Sequence, residues 1–373
     1  MTDASAGDIF VGAISGTSMD GLDLAAISVP RRGKVSVLAA QTLAMNPELT
    51  DMLRELASSE TVSWQMLGRA DAELGEFIGH RIAEFLGAND LPSSAVKAVG
   101  SHGQTVRHEP HGPYPFSIQI GDPSRIANAC GLPVVADFRR ADIAAGGQGA
   151  PLVPPFHRHL FQAAEPRAVC NIGGISNLTV LRRGEPLVGF DTGPGNTLLD
   201  AWTRRHTEAA FDADGQWARE GQVDDELLQA LLREPFFAAP PPKSTGPEQF
   251  NLDWLDAQLR DQRPVDIQAT LVELTAVSIA RAVERQAADC KLLILCGGGR
   301  QNPLLCERLS ALLAPAETRV VKCDSLGVDG DSLEAAAFGW LAYRTLGGGA
   351  GNAPSVTGAL RSQVLGSITR YKR

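Results

Sequence analysis

The sequence lacks the features of membrane-spanning, secreted and nucleic-acid-coating proteins. No uncharged apolar run reaches the ~18 residues that a membrane span needs, and residues 1–10 contain neither a basic segment nor the apolar segment of a signal peptide. Lysine and arginine number 34 against 43 aspartate and glutamate residues, a formal charge of −9, which argues against binding along nucleic acid. We therefore expect a cytoplasmic protein without nucleic-acid or membrane partners.

Cysteine is scarce and shows no metal-binding or disulfide pattern. The six cysteines form no C-x-x-C pair, have no histidine-rich spacing around them, and mostly lie in or beside apolar runs such as AVCNI and LLILC. Cysteines in such runs are typically buried, reduced thiols. The pattern therefore argues against a disulfide framework or a cysteine-based metal site.

Three common motifs of nucleotide-binding enzymes and hydrolases are absent as well. The chain has no G-x-x-x-x-G-K-[ST] phosphate loop, and GGGRQN lacks the third glycine of a G-x-G-x-x-G dinucleotide turn. No G-x-S-x-G elbow indicates a serine hydrolase. A two-lobed kinase or ATPase remains compatible with these absences.

What is present indicates a two-domain α/β protein. The chain has 373 residues, 44% hydrophobic and 21% charged, which is typical of globular domains of about 150 residues each. Short β-branched runs alternate with helical patterns at about 47–58 and 63–87, and this alternation predicts mixed sheets flanked by helices. After APLVPPFHRHLF a second strand-turn-strand series begins at RAVCNIGG. We therefore predict two similarly built lobes, residues 1–165 and 166–373.

Glycine is the residue in surplus. The 38 glycines are about a tenth of the chain, against a usual ~7%, and many follow the ends of apolar strands. A missing Cβ at such a turn lets backbone N–H groups approach an anion, while nearby hydroxyl and carboxylate groups can hold phosphate or a hydrated cation. Four such clusters predict phosphate binding: Ser15 to Asp23, Asn171 to Asn177, Asp191 to Asn196 and Gly297 to Asn302.

These clusters and several further motifs resemble one family. In order along nearly the whole chain, SGTSMDGLD, SHGQT, QIGD, DFRRADIAAGGQGAPLVP, NIGGISNL, FDTGPGN, KSTG, CGGGRQNP and GNAPSVTGA resemble the anhydro-N-acetylmuramic acid kinase family. The resemblance implies two ribonuclease-H-like lobes of the actin-like ATPase fold, with mixed sheets flanked by helices and an ATP cleft between them. The chain departs from the family at Pro247, where an arginine usually follows KSTG.

The resemblance also implies an activity. Family members use ATP and Mg²⁺ to add water at C1 of 1,6-anhydro-N-acetylmuramic acid and phosphate at O6, giving N-acetylmuramic acid 6-phosphate in cell-wall recycling, and the family suggests a homodimer. Asp191, which follows the apolar strand PLVGF, matches the family's catalytic aspartate, which takes a proton from the attacking water. Two alternatives stay open. One is an ordinary sugar kinase in which Asp191 deprotonates a sugar hydroxyl, and the other is an actin-like, non-metabolic ATPase.

For ATP, the resemblance assigns contacts to the four glycine clusters. Asp20 is expected to contact Mg²⁺ through water, and its competing interpretation is a turn-stabilising side chain. Asn302 and the glycines before it are expected near adenine and ribose. The expected ATP-binding residues are Gly16, Thr17, Ser18, Met19, Asp20, Gly21, Leu22, Asp23, Asn171, Gly173, Gly174, Asn177, Gly193, Gly195, Asn196, Gly297, Gly298, Gly299 and Asn302.

For the sugar, candidates come from SHGQT, from DFRRAD and from the helical pattern DSLEAAAFGWLAYRTL. His102 and Gln104 are expected to bind sugar hydroxyls or the lactyl carboxylate, and Arg139 to pair with that carboxylate. Asp142 either binds sugar or fixes an arginine. Glu334 is expected at the start of a helix between the lobes, where stabilisation by the helix dipole is the competing interpretation. The expected sugar-binding residues are His102, Gln104, Thr105, Arg139, Asp142 and Glu334.

Overall fold

The computed structural model describes residues 7–16, 19, 21–30, 33–246 and 248–372, which divide into two compact units. The first unit comprises the described residues up to Leu160 and those from Ser332 onward, and the second unit is Phe161–Asp331. The first boundary lies close to the predicted one. The C-terminal segment, which the sequence assigned to the second lobe, instead packs with the first unit, and this corrects the predicted division at 166–373.

The described residues form strands β1 to β13 and helices α1 to α14, joined by turns and short 3₁₀ segments. In chain order the strands are β1 Asp8–Ile14, β2 Gly21–Val29, β3 Ser36–Ala44, β4 Val96–Ser101, β5 Gln104–Glu109, β6 Phe116–Ile120, β7 Val134–Ala136, β8 Arg167–Ile172, β9 Ile175–Leu181, β10 Val188–Pro194, β11 Leu292–Cys296, β12 Arg319–Lys322 and β13 Ser367–Thr369. The helices are α1 Pro47–Ser58, α2 Trp64–Ala88, α3 Pro123–Cys130, α4 Arg140–Ala144, α5 Pro154–Phe161, α6 Asn196–His206, α7 Gln216–Arg219, α8 Asp225–Leu231, α9 Pro235–Ala238, α10 Leu252–Asp256, α11 Pro264–Gln286, α12 Pro303–Leu313, α13 Leu333–Leu346 and α14 Pro354–Thr357.

Each unit is built on a mixed sheet, and the two sheets share one strand order. The first sheet runs β13-β7-β4-β1-β2-β3 and the second β10-β9-β8-β11-β12. In both, three antiparallel strands continue into parallel neighbours. When the strands of each sheet are numbered in chain order, both sheets contain the order 3-2-1-4-5 of a ribonuclease-H-like domain. The predicted α/β class and the repeated strand-turn-strand opening are therefore confirmed.

Helices α1 and α2 confirm the helical patterns that the sequence showed. Each helix begins after a side chain that caps its first turn. Asn46 Oδ1 accepts a hydrogen bond from Leu49 N–H at 2.7 Å, and Ser63 Oγ accepts one from Met66 N–H at 3.1 Å. Strands β5, β12 and β13 were not predicted, because they are short and partly exposed, so their apolar pattern is weak.

Helix α13 lies on the first sheet at a distance that only glycine permits. A Cβ on Gly12 of β1 would lie 1.7 Å from the Ala335 carbonyl oxygen, and one on Gly100 of β4 would lie 2.0 Å from the Phe338 carbonyl oxygen. The helix backbone therefore rests directly on the strands. Together with the antiparallel pairing of β13 with β7, this contact explains why the segment from Ser332 onward belongs to the first unit.

The cysteines occur as free thiols, as predicted. Five are buried and Cys306 is partly exposed, and burial raises the pKa of Cys290 to about 11. Such thiols stay protonated at neutral pH and pack as small apolar groups. Among the described residues, no helix combines the length and the apolar character needed to cross a membrane.

Replacing Gly100 with alanine is expected to destabilise the first unit, because the new Cβ has no room beside the Phe338 carbonyl. Overpacking of this kind costs on the order of 1–3 kcal/mol, which thermal unfolding of the purified variant will show as a lower melting temperature. Gly68→Ala in α2 is a matched control, since no described heavy atom lies within 4 Å of its added Cβ and alanine favours a helix. A wild-type melting temperature for Gly100→Ala would contradict this packing argument.

Candidate functional site

Asp191 lies near the end of β10, the edge strand of the second sheet. It pairs with Asn177 of β9, and the register of the two strands shifts between Asp191 and Gly193. Gly193 has a φ of +145°, and a Cβ there would meet the Phe237 ring at 2.6 Å. Only glycine fits this position. The irregularity interrupts the regular pairing of β10 with β9 directly after Asp191.

The loop that contains KSTG holds Asp191 from the other side. Asp191 N–H donates to the Lys243 carbonyl oxygen at 3.1 Å, and Thr245 N–H donates to Asp191 Oδ2 at 2.9 Å. The hydroxyl of Thr245 donates in turn to Gln249 Oε1 at 2.7 Å. One oxygen of the carboxylate is therefore fixed by a loop that is itself held in place.

Burial raises the pKa of Asp191 to about 7. Loss of solvation is the largest cause, and the charge of Glu248 adds to it, while the Thr245 N–H and the Lys243 charge act in the opposite direction. The residue keeps partial exposure to solvent, although protein atoms surround its carboxylate. A carboxyl group whose pKa lies near neutrality is suited to accept a proton at the pH of the cell.

Lys243 was not among the predicted site residues. Its Nζ donates to the Phe236 carbonyl oxygen at 2.8 Å and lies 4.3 Å from the centroid of the Phe236 ring. Burial, assisted by the charge of Arg285, lowers the pKa of Lys243 to about 8, and Asp191 acts to raise it. The available signal was the Pro-rich stretch before KSTG, which predicts a structured loop but does not show that the loop reaches Asp191.

Two glycine clusters of the second unit meet at the end of β8 and β9. The tight turn at residues 173–174 connects these strands, and its carbonyl oxygens accept hydrogen bonds from the start of α6. Gly195 N–H donates to Gly174 O at 2.8 Å, and Asn196 N–H donates to Gly173 O at 2.8 Å. The structure thus brings the NIGG turn and the DTGPGN turn together.

The cluster Gly297 to Asn302, after β11, packs against the end of β8, next to the same turn. Gly297 has a φ of +74°, and a Cβ there would lie 2.4 Å from Asn171 Oδ1. A Cβ on Gly299 would lie 2.3 Å from the side chain of Ile172. The absence of side chains at Gly297 and Gly299 therefore serves protein packing, and it places the intervening Gly298 at the surface of the assembled turns.

Two glycines of these turns fit an ATP site. An added Cβ would have no described heavy atom nearer than 3.5 Å at Gly173 and 3.8 Å at Gly298. Open backbone of this kind is what a phosphate group or an adenine ring requires. Asn302 differs, because its Oδ1 caps α12 by accepting from Leu305 N–H at 3.2 Å; its side chain is committed to the helix.

Arg300 anchors the glycine turn, a role that the sequence did not predict. Its side chain is only 4% exposed, and its Nη1 donates to the Gly297 carbonyl oxygen at 3.1 Å. The guanidinium also binds Asp324 at 2.8 Å and Asp331 at 2.6 Å. These carboxylates raise the pKa of Arg300 despite its burial, so that a permanent charge fixes the turn.

The first glycine cluster belongs to the first unit, and its structure is described in part. Met19 has a φ of 55°, and its N–H donates to Gly16 O at 3.1 Å. Leu22 is fully buried in the core, and Asp23 accepts from Thr42 Oγ1 at 2.6 Å, so the side chains of both serve the sheet. The expected ligand contacts that lie outside the described residues, and stay predictions, are Thr17, Ser18 and Asp20.

In the first unit the structure brings His102 and Arg139 together. The Nε and Nη2 atoms of Arg139 lie 3.1 Å and 2.9 Å from His102 Nε2, and Nη1 donates to Gly149 O at 2.9 Å. Because the guanidinium donates, His102 Nε2 must accept, which places the ring proton on Nδ1, 3.0 Å from Gly103 O. Burial, and then the charge of Arg139, lowers the pKa of His102 to about 3, so the ring is neutral.

Glu334 lies in the first turn of α13, as predicted, and acts on the same pair. Its charge partly opposes the burial that lowers the pKa of Arg139 to about 10. The His102 ring packs against Phe338 of the same helix with centroids 4.7 Å apart. Helix α13, which the sequence placed between the lobes, is therefore a component of the first unit that supports the His102–Arg139 pair.

Gln104 and Thr105 are held at the start of β5 by protein partners. Gln104 Oε1 accepts from Ser15 Oγ at 2.6 Å, which ties the SHGQT motif to the residue that follows β1. Thr105 Oγ1 accepts from Gln119 Nε2 at 3.1 Å. The first glycine cluster and SHGQT therefore adjoin each other, as parallel pairing of β1 with β4 requires.

The side chain of Asp142 is held by protein partners of the first unit. The residue is fully buried, and its Oδ1 accepts from Asn352 Nδ2 at 2.6 Å and from Thr357 Oγ1 at 2.7 Å. Its Oδ2 accepts from Gly149 N–H at 2.8 Å. Asp142 thus ties the C-terminal segment to the loop after α4, and these three partners include no arginine; the expected sugar contact stays a prediction.

Comparison with known proteins gives matches over almost the full chain. A family model described as Anhydro-N-acetylmuramic acid kinase matches residues 8–371. A Xylella fastidiosa protein of that name is 46% identical over 366 residues, and a Coxiella burnetii protein of that name is 47% identical over 364 residues; both alignments cover 96% of each chain. Among solved structures, a ROK family glucokinase from Streptomyces griseus aligns at a TM-score of 0.36 and 14% identity, over 84% of this chain and 94% of that one.

Replacing Asp191 with asparagine is expected to raise the melting temperature, and more so at higher pH. The folded-state pKa of about 7 exceeds the ordinary 3.8, so the wild-type protein loses stability as pH rises through about 7, whereas asparagine stays neutral. Melting curves from about pH 5 to about pH 8 should show a difference that grows toward neutrality and then levels off. Asp253→Asn, at an exposed position of α10, is the control. A difference that is independent of pH would contradict the raised pKa.

Proposed function

Because the chain belongs to the anhydro-N-acetylmuramic acid kinase family, we propose that Asp191 is the base that activates water in its reaction. The chain is a kinase that uses ATP to convert 1,6-anhydro-N-acetylmuramic acid to N-acetylmuramic acid 6-phosphate in cell-wall recycling. The observation that carries the proposal for Asp191 is its carboxylate at the end of β10, fixed by Thr245 N–H and with a pKa raised to about 7.

The substrate itself requires such a base. Its O6 is part of the anhydro bridge, so no free 6-hydroxyl is available for deprotonation. In the proposed reaction Asp191 accepts a proton from water while the water oxygen bonds to C1 and the C1–O6 bond breaks. O6 takes the γ-phosphoryl group of ATP, which leaves as ADP. A base with a pKa near 7 is ionised in a large fraction of molecules at neutral pH and is more basic than an ordinary carboxylate. The hydrogen bond from Thr245 keeps it oriented.

ATP supplies the phosphoryl group of this reaction. We assign its contacts in the second unit to the turn at Gly173 and Gly174, where backbone N–H groups suit phosphate, and to the open backbone at Gly298, which suits the adenosine part. Phosphoryl transfer asks a protein mainly for positioning and for neutralisation of charge. Fixed turns provide the positioning in a chain whose net charge of −9 would not attract ATP.

We also propose Mg²⁺ as the divalent cation that accompanies ATP. The described ranges contain no group of three or more His, Cys, Asp or Glu side chains that could hold a metal ion. Magnesium bound to a nucleotide keeps several waters and needs only one or two carboxylates besides the phosphate oxygens. The residues present therefore fit an ion held mainly through ATP, with Asp20 as the proposed contact through water.

For the sugar we propose the group formed by His102, Arg139 and Glu334 in the first unit. Arg139 keeps its charge, so it suits the lactyl carboxylate of the substrate. The neutral His102 orients the guanidinium of Arg139, and the amide of Gln104 suits hydroxyl groups. We further propose that the enzyme is a cytoplasmic homodimer, and sedimentation of the purified chain tests the assembly.

An ATP-consumption assay with three sugars tests the substrate. We expect turnover with 1,6-anhydro-N-acetylmuramic acid and none above background with N-acetylmuramic acid or N-acetylglucosamine, because the site activates water and not a sugar hydroxyl. Identification of the product as N-acetylmuramic acid 6-phosphate by mass spectrometry completes the test. Faster turnover with N-acetylmuramic acid, which has a free 6-hydroxyl, would instead indicate an ordinary sugar kinase.

Asp191→Asn is expected to lower kcat by about 10²–10⁴-fold or more, the range that general base catalysis supplies, while binding of an ATP analogue persists. In the wild-type enzyme the rate should fall as pH drops below about 7, as Asp191 takes up a proton. Steady-state rates across pH and titration with the analogue measure the two effects. Asp253→Asn should match the wild type in both, and near-normal turnover of Asp191→Asn would remove this residue from the mechanism.

A further inference from the structure

A cavity adjoins strand β10 on the face opposite to Asp191. Phe190 and Thr192, the neighbours of Asp191 in β10, line this cavity, because successive side chains of a strand point to opposite faces. Helix α11 and the loop before KSTG form its other walls. The enclosed part measures about 20 Å³, room for about one water, and it opens to solvent at a mouth where a larger ligand can bind with one group directed inward.

The cavity is lined by three cationic side chains, Lys243, Arg281 and Arg285. Lys243 Nζ donates to the Phe236 carbonyl oxygen at 2.8 Å, and Arg285 Nη1 donates to the Phe237 carbonyl oxygen at 3.0 Å. Because these two carbonyl groups belong to consecutive residues of α9, they hold the two cationic heads close to each other. Arg281 precedes Arg285 by one turn of α11, so both arginines lie on the same face of the helix.

The positive charge is not balanced within the cavity. None of the described residues that line it is acidic, and the carboxylate of Asp191, which interacts electrostatically with Lys243, is bound by Thr245 N–H. The repulsion between Lys243 and Arg285 acts against the charge of the lysine. Like charges held together by backbone carbonyls, without a lining carboxylate, form a site that an anion would stabilise.

We propose that the open mouth of this cavity, at Lys243, Arg281 and Arg285, binds a phosphate dianion at a site separate from the ATP turns. Guanidinium groups present paired donors that match phosphate oxygens, and the lysine adds a third charge. Phe190 and Phe237 supply apolar walls that keep water from one side of the ligand. Two sources share this chemistry: inorganic phosphate, and a phosphate monoester such as the sugar phosphate of the proposed reaction. Only the second source rests on the proposed function.

Calorimetric titration of the full-length protein with inorganic phosphate tests the site. The ATP site is filled beforehand by a non-hydrolysable analogue. We expect one phosphate per chain in the wild type and binding at least about tenfold weaker in Arg281→Gln/Arg285→Gln, since charge-assisted hydrogen bonds are lost. The control Arg260→Gln/Arg319→Gln removes the same charge from exposed positions of the second unit and should bind as the wild type does. An equal loss of phosphate affinity in both double variants would show that the effect comes from net charge alone, and it would overturn the proposal.

The single variant Arg281→Gln controls for a folding defect, because it leaves the hydrogen bond from Arg285 to Phe237 O intact. This variant should also weaken phosphate binding at an unchanged melting temperature.

N-acetylmuramic acid 6-phosphate is titrated in a parallel arm. Binding that depends on Arg281 in this arm alone identifies a phosphate monoester as the ligand, and binding in both arms identifies the phosphate group itself. The absence of such binding in both arms overturns the proposal, and this result would leave the role of Asp191 untouched.

Discussion

Direct contact of backbone with backbone is the constraint on which the functional geometry of this chain depends. In the first unit, Gly12 and Gly100 let α13 rest on the sheet, and that helix carries Glu334 and supports the His102 ring. In the second unit, Gly297 places the turn after β11 against the end of β8. A methyl group at any of these glycines would push apart the elements that hold the candidate ligand-binding groups. The surplus of glycine is therefore mainly a packing property, and only a few glycines present open backbone to a ligand.

Burial of Asp191 costs stability and makes the carboxylate more basic, as the proposed role of this residue requires. A carboxylate in water would have a pKa near 3.8 and would be a weak base, whereas burial beneath the KSTG loop brings this pKa to about 7. Thr245 offsets part of the penalty with a hydrogen bond, and Lys243 offsets part with its charge. Burial lowers the pKa of Lys243 to about 8, so the lysine keeps most of its charge at neutral pH, but this charge does not return the pKa of Asp191 to its ordinary value. Sites of this kind commonly reduce stability in favour of function.

The elements that could be predicted are those specified by residues that are close together in the sequence. Apolar runs ended by glycine and aspartate gave the strands around the site, and helical periodicity gave α1 and α2. The bonds from Asp142 to Asn352 and Thr357, and those from Arg300 to Asp331, join residues far apart in the chain. No periodicity specifies such pairs, because they depend on how the finished elements pack. The position of Asp142 close to two arginines in DFRRAD suggested an ion pair, but the folded chain gives the carboxylate of Asp142 other partners.

The return of the C-terminal segment to the first unit also orders the events of synthesis. Asp142 binds Asn352 across 210 positions of the chain, and the sheet that bears His102 gains its covering helix only when residues from Ser332 onward have left the ribosome. The second unit is continuous in sequence, so every strand of its sheet is available before that helix is made. The unit whose translation begins first is therefore the last that can be completed. A nascent chain halted near Asp331 would contain the whole second unit and an incomplete first unit.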